Sequence, residues 1–200
     1  MQDSIDTKDI LAEALLRLTQ QKSFEKITIA DITHQSGFNR QTFYYHFRDK
    51  YELLNWIYER DAHRVFDSKL NFENWHRYIA VLLKHMRKEK VFYMNTIHSD
   101  ERYFQTFIFR LTKSIFYLAI DRLDPYHQLS ESDKNFYSEF FSFGVSGVLV
   151  SWAKNDMKET PEKVAQNLKS LAQDSEKLAY ERYRESYHKT MEESQNETGN

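Results

Sequence analysis

Apolar residues recur at Ile10, Leu11, Ala14, Leu15 and Leu18, a spacing that lays one stripe along a helix and predicts a first helix from about Thr7. Lys22-Ser23-Phe24-Glu25-Lys26 is a polar break with one apolar anchor. Thr28 then starts a short second helix, with Asp31 three residues on in a near capping-box arrangement. Gly37 ends it, where a left-handed backbone turn needs no Cβ. Asn39 is placed to cap a third helix running through Phe47, and Asp49 a fourth carrying Leu53, Leu54, Ile57, Tyr58 and Asp61. Such short elements, joined by turns of a few residues, suit a helix-turn-helix head with a connecting helix.

Beyond residue 70 the predicted helices lengthen. Ile79, Leu82, Leu83 and Met86 share one face, and Phe104, Phe107, Ile108, Leu111, Ile115 and Leu118 form a similar stripe. Asp124-Pro125 closes that helix, because proline disfavours helical geometry just before it. Ser130 to Lys154 reads as a long apolar helix, and Pro161 lies at the start of the last one. From about Tyr187 the chain is a polar tail with nothing to bury.

Composition supports this reading. Four Gly and two Pro in 200 residues leave little turn chemistry for a many-stranded sheet, while 13 Tyr and 15 Phe supply a core. The expectation is an all-α chain of about nine helices. Its three-helix head spans residues 1–50, a larger helical regulatory and dimerisation region spans 51–186, and the tail spans 187–200. The absence of cysteine removes disulfides and thiolate metal sites. The first residues have neither a basic start nor an apolar core, and Phe140 to Ala153 is too short to cross a bilayer. A soluble, cytoplasmic protein without a membrane partner is therefore expected.

Net charge is −2, and residues 1–50 carry seven basic and seven acidic side chains, so bulk charge gives nucleic-acid binding no support. Local charge is more informative: within Asn39 to Lys50, Arg40, Arg48 and Lys50 face only Asp49. Ile29, Ile32, Phe38, Phe43 and Phe47 are spaced so that two short helices share one apolar face across a glycine turn. The outer face of the second then offers Arg40, Gln41, Thr42, Tyr44, Tyr45 and His46, which are donors, acceptors and aromatic hydroxyls without an acid. A helix with such groups near its N-terminus can enter a major groove and meet base edges.

The order Thr28-Ile-Ala-Asp-Ile, Gly37-Phe, Thr42-Phe-Tyr-Tyr-His-Phe and Arg48-Asp-Lys resembles the DNA-binding head of the tetracycline-repressor (TetR) family of bacterial regulators, over roughly residues 7–57. The resemblance implies that Thr28 holds a phosphate at the start of the second helix. It places Asn39 and Arg40 at the opening of the recognition helix, with Gln41 and Thr42 behind them. It sets Tyr44, Tyr45 and His46 against the sugar-phosphate backbone and Lys50 against a phosphate. Arg40 and Gln41 are the candidates for base contacts, since arginine reads guanine and glutamine reads adenine in bidentate fashion. Plainer readings stand beside these: Thr28 as a cap alone, Tyr44 as a packing ring, and His46 as a half-buried histidine. Thr33 and Ser36 replace the family's usual alanines near the helix crossing.

One recognition helix makes too few contacts for tight specific binding, so a homodimer on a palindromic operator of double-stranded DNA is expected. The candidate interface is Phe141, Gly144, Val145, Gly147, Val148 and Trp152 on the long helix, with Val164, Leu168, Leu171 and Leu178 on the last. A helix apolar on two faces is buried on two sides, and Phe136, Phe140 and Phe143 mark its other stripe. The alternative is that these faces complete one subunit's core. Tyr93, Met94, Ile97, Tyr103, Phe107, Phe116 and Tyr117 are candidates to line a ligand pocket, with plain core as the alternative.

The pattern Phe140-Phe-Ser-Phe-Gly-x-x-Gly, Trp152, Pro161-Glu162 looks like a TetR branch that includes regulators similar to the activator of dihydroxyacetone kinase operons. The expected function is a repressor released by a small-molecule effector, and this branch likeness is what sets activation beside it. An activator working with a protein co-activator, and a helical dimeric module without DNA binding, are the alternatives. His98-Ser-Asp-Glu101 supplies only two possible metal ligands, no phosphate loop is present, and no nucleophile–base arrangement is recognisable. No metal, cofactor or enzymatic activity is expected.

Overall fold

The structure, a computed structural model, describes residues 6–124 and 128–178, all helices and connections with no strand among them. Pro125 and the polar tail lie outside the described residues. The first four helices are α1 (Thr7–Thr19), α2 (Ile29–Ser36), α3 (Arg40–His46) and α4 (Lys50–His63). They are followed by α5 (Trp75–Lys88), α6 (Lys90–Ser99), α7 (Glu101–Leu123) and α8 (Glu131–Lys154), with a last helix, α9, over 161–178.

The caps stand where the sequence places them. Thr28 and Asp31 form a full capping box at α2, Asn39 accepts from the Thr42 amide at α3, and Asp49 accepts from the Tyr51 and Glu52 amides at α4. Gly37 adopts φ 76°, the left-handed conformation that a side chain would resist. The polar break before α2 is a single 3-10 turn, Phe24–Lys26, whose anchor Phe24 is buried. Ser130 and Asp133 make a second capping box at α8.

Helices α7 and α8 run antiparallel along their lengths. Contacts pair Glu101 with Lys154, Phe109 with Phe143, Lys113 with Glu139, and Tyr117 with Glu131. At the end of this pair the buried Lys134 bonds Asp121 at 2.6 Å, which ties the start of α8 to the last turn of α7.

The head joins the body through a buried carboxylate. Asp61 on α4 accepts from Tyr93 of α6 at 2.8 Å, pairs with Nε2 of His85 on α5 at 2.9 Å, and holds the Arg60 guanidinium at 3.2 Å. Arg60 then reaches Asp9 and Glu13 on α1 at 3.1 and 3.4 Å. Burial opposes ionisation of Asp61, but the hydrogen bond and charge of His85, with Arg60 and Tyr93, outweigh it and hold its pKa below the ordinary value. One chain of ion pairs and hydrogen bonds thus links four helices across the head–body boundary.

Removing one member of a buried pair leaves its partners uncompensated. Asp61→Asn should cost about 2–3 kcal/mol at pH 7, below the full figure for a broken buried pair because Arg60 keeps Asp9 and Glu13. Since the native pKa is depressed, the carboxylate's contribution is complete above its unfolded pKa of about 4 and is lost as pH falls through the lower native value. Urea unfolding at fixed protomer concentration should therefore show the gap between variant and parent at pH 7 and a narrowing of it below about pH 4.

Candidate nucleic-acid interface

A seven-residue helix is too short to be stable alone, so tertiary contacts must hold α3. Phe43 and Phe47, both fully or almost fully buried, point inward, and Phe47 packs edge-on against Trp56 of α4. Ile32 is buried beside them, while Ile29 and Phe38 pack at the margin of the same core. The hydroxyls of Thr33 and Ser36 donate to the carbonyls of Ala30 and Thr33. Both departures from the usual alanine are therefore satisfied within α2 and do not disturb the crossing.

With Phe43 and Phe47 directed inward, the opposite face of α3 is open. Arg40 and Gln41 are exposed in its first turn, Tyr44 is 54% and Tyr45 85% exposed, and His46 is half-buried with its ring edge-on to Tyr45. Asn39 Oδ1 also accepts from the Thr42 hydroxyl at 3.0 Å, which leaves the Asn39 amide nitrogen as that residue's free donor group. No acid occurs from Ile32 to Arg48. The arrangement presents donors, acceptors and Arg40 to solvent, with the exposed Arg48 at its edge 3.5 Å from Asp49.

Three exposed side chains next to α3 escaped the sequence-level site: His34 and Gln35 at the end of α2, and Arg48 just after α3. The available signal was helical phase, since His34 and Gln35 follow the buried Ile32 and Thr33 directly.

Two expected phosphate contacts have other work in the structure. Thr28 Oγ1 accepts from the Asp31 amide and donates to the Asp31 carboxylate at 2.7 Å, closing the cap. The Lys22 ammonium hydrogen-bonded to Asp31, together with the Thr28 bonds, holds that carboxyl well below the usual range. Lys50, expected to meet a phosphate, instead bonds the carbonyl oxygens of Phe24, Glu25 and Ile27 at 2.8–2.9 Å. These three bonds match its three donors. Partial burial lowers its pKa, against the opposing charge of Glu25.

A second grip on the same turn comes from the body. Asn95 of α6 accepts from the Phe24 amide at 2.8 Å and donates to the carbonyls of Thr19 and Lys22 at 2.9 Å each. Neither grip was legible in the sequence, because 26 and 71 residues separate Phe24 from Lys50 and Asn95.

The seven candidate pocket residues are not brought together. Tyr93, Ile97, Phe107 and Phe116 are buried core. The Tyr93 ring stacks on Tyr58 and its hydroxyl is committed to Asp61. Tyr103 stacks on Tyr51 of α4, Tyr117 bonds Glu131, and Met94 lines an open cleft beside the head. Fourteen residues of helix, roughly 21 Å, separate Tyr103 from Tyr117. Four of the seven are core, Met94 and Tyr103 pack at its margin, and Tyr117 lies outside it.

The candidate dimer residues also divide. Val145, Trp152, Val164 and Leu168 are buried within one chain, and the half-buried Phe141 stacks on Phe116, so these five belong largely to the subunit's own core. Gly144, Val148, Leu171 and Leu178 are exposed and Gly147 is half-buried. The open stripe of α8 is instead Phe136, Phe140 and Phe143 with Gly144 and Val148, and the three Phe side chains are 55–66% exposed. Periodicity showed two apolar faces but not which one turned inward.

Comparisons with known proteins agree with this geometry. A family model described as "Bacterial regulatory proteins, tetR family" matches residues 10–57, and one described as "Transcriptional regulator C-terminal region" matches residues 73–174. The chain is 27% identical over 152 residues to the HTH-type dhaKLM operon transcriptional activator DhaS of Lactococcus lactis, covering 74% of this chain and 80% of that protein. It is 24% identical over 172 residues to the uncharacterized HTH-type transcriptional regulator YxbF of Bacillus subtilis, covering 80% of this chain and 43% of that protein.

Among solved structures, a dihydroxyacetone kinase operon activator DhaS superposes with a TM-score of 0.65 at 22% identity, over 88% of this chain and 98% of that one. A TetR transcriptional regulator from Streptococcus agalactiae 2603V gives 0.55 at 21% identity, over 82% and 92%. At these identities the superpositions show the fold, and the family models carry the assignment. Among the described residues no helix is long and apolar enough to cross a membrane. With an open, acid-free recognition helix at one end and family matches over both the head and the body, this chain belongs to the TetR family of DNA-binding transcriptional regulators.

Proposed function

We propose that this regulator binds a palindromic operator in the cytoplasm as a homodimer, with α3 of each head in a major groove. The observation that carries this reading is the exposed face of α3, with Arg40 and Gln41 in the first turn and Tyr44 and Tyr45 beyond them. Arg40 and Gln41 read base edges, while Tyr44, Tyr45 and Arg48 meet the backbone, as phosphate contacts position and base contacts specify. Asn39 and Thr42 hold the start of α3, and His46 supports Tyr45 from beneath. Thr28 and Lys50 shape the head and do not themselves read DNA.

The second copy docks on the open stripe of α8 together with Leu171 and Leu178 of α9, making a four-helix bundle. Gly144 and Gly147 carry no side chain on that helix, and a Cβ added at either would meet nothing within 4 Å in the single chain. This leaves room for a partner backbone. An effector, whether a small molecule or a protein co-activator, acts by preferring one spacing of the two heads, and only as far as its affinities for the two states differ. The likeness to DhaS, by its name a transcriptional activator, favours a second reading in which operator binding raises transcription. Purified transcription from the regulator's own operator separates the two, rising for an activator and falling for a repressor.

Selection from a random duplex pool should recover a palindrome whose half-sites lie about 34–36 Å, or a multiple, apart. Arg40→Ala and Gln41→Ala should each relax preference at one or two base pairs by about 1–3 kcal/mol, whereas Arg48→Ala should weaken all sequences alike and lower the salt slope by about one. Unchanged preference in both base-reading variants refutes their assignment. Phe140→Glu places like charges across the symmetric face and should convert the dimer to monomer in sedimentation, with helicity retained. A dimer that persists assigns the interface elsewhere.

A further inference from the structure

The loop between α1 and α2 leads into the helix-turn-helix unit, and Asn95 of α6 holds it to the body at a directional joint separate from the Asp61 cluster at the other end of α1. Asn95, in the middle of α6, accepts from the Phe24 amide and donates to the Thr19 and Lys22 carbonyls, all within 2.8–2.9 Å. One planar amide therefore engages three backbone groups, at the end of α1, in the break after it and at the first residue of the turn. Apolar packing around Phe24 attracts without fixing an angle, whereas hydrogen bonds weaken steeply when bent. From α4, Lys50 bonds three other carbonyl acceptors of the loop, Phe24, Glu25 and Ile27, so the loop itself is stiff. A rotation at Asn95 is then passed to α2 and α3 as a rigid movement.

We infer that Asn95 is a positioning residue that sets which half-site spacing the dimer accepts, by locking the angle of each head on α6. The inference rests on the proposed dimeric operator binding. Adjacent base pairs lie about 3.4 Å apart along the duplex, so discriminating single-pair changes in spacing requires heads held to less than that distance. A head released from Asn95 follows the half-site wherever it lies. It then pays its ordering at the moment of binding, so the best spacing weakens and the wrong ones are penalised less. An open cleft lined by Ser23, Glu25, Met94, His98 and Ser99 runs beside Asn95, which leaves the joint room to move.

The test measures affinity for duplexes carrying the selected half-sites at the selected spacing, at one and two base pairs more or less, and for a duplex with a single half-site. Wild-type protein should lose tenfold or more on each change of spacing. Asn95→Ala should bind the best spacing about tenfold more weakly, the ordering cost that its freed heads pay on binding, and flatten the preference to about threefold. It should retain the same base preferences and single half-site affinity. Asn95→Asp keeps the acceptor for the Phe24 amide but sets a carboxylate against two carbonyls, and should behave like the alanine variant.

A spacing profile unchanged in both variants overturns the inference, as does an equal loss on every duplex including the single half-site. In wild-type protein, hydrogen exchange at the Phe24 amide should be slow on the preferred duplex and faster on one with shifted half-sites. Equal protection on both also overturns it, without reliance on any variant. If wild-type protein retains no duplex at all, it is the operator-binding reading that fails.

Discussion

A helix of seven residues with its outer face in water holds its place only through what lies beneath it. In α3 that support is Phe43 and Phe47, buried against a core that also takes Ile32 and Trp56. Because these two rings point inward, the polar residues between and before them point outward. The Asn39 cap starts the helix at the residue that brings Arg40 and Gln41 into the first exposed turn. Everything the head offers to DNA follows from those two aromatic side chains being on one side and the cap at one position.

The remaining question is how a small head keeps a fixed attitude on a long helical body, and polar contacts answer it more than apolar ones. Lys50 stiffens the loop before α2 from the head side, Asn95 fastens it to α6, and Asp61 with Arg60 ties α1 to α4, α5 and α6. Buried polar groups of this kind are unforgiving, since each must find its partner or destabilise the fold. The same property makes them directional, and direction is what two heads reading one duplex require.

In the body, hydrophobic pattern had less resolving power. The long α8 is apolar on two faces, and the structure turns Val145 and Trp152 inward while leaving Phe136, Phe140 and Phe143 open. Larger rings do not choose the interior by size. Pairs such as Lys113 with Glu139 and Lys134 with Asp121 join α8 to α7 in a register that the apolar pattern by itself does not specify. The aromatic residues that suggested a cavity are divided in the same way among core packing, the Asp61 cluster and the α4–α7 contact.

Local chemistry made the head's helices, their caps, the glycine turn and the apolar side of α3 legible, because each of those signals lies within about four residues, although α3 itself stands only on its tertiary contacts. For the same reason the head's resemblance to the TetR family was legible from one short run of the chain. Tertiary structure decided the role of Lys50, the grip of Asn95, the Asp61 cluster and the open side of α8. Each of these joins positions many residues apart, and one-dimensional periodicity carries no information about which distant partner a side chain will meet.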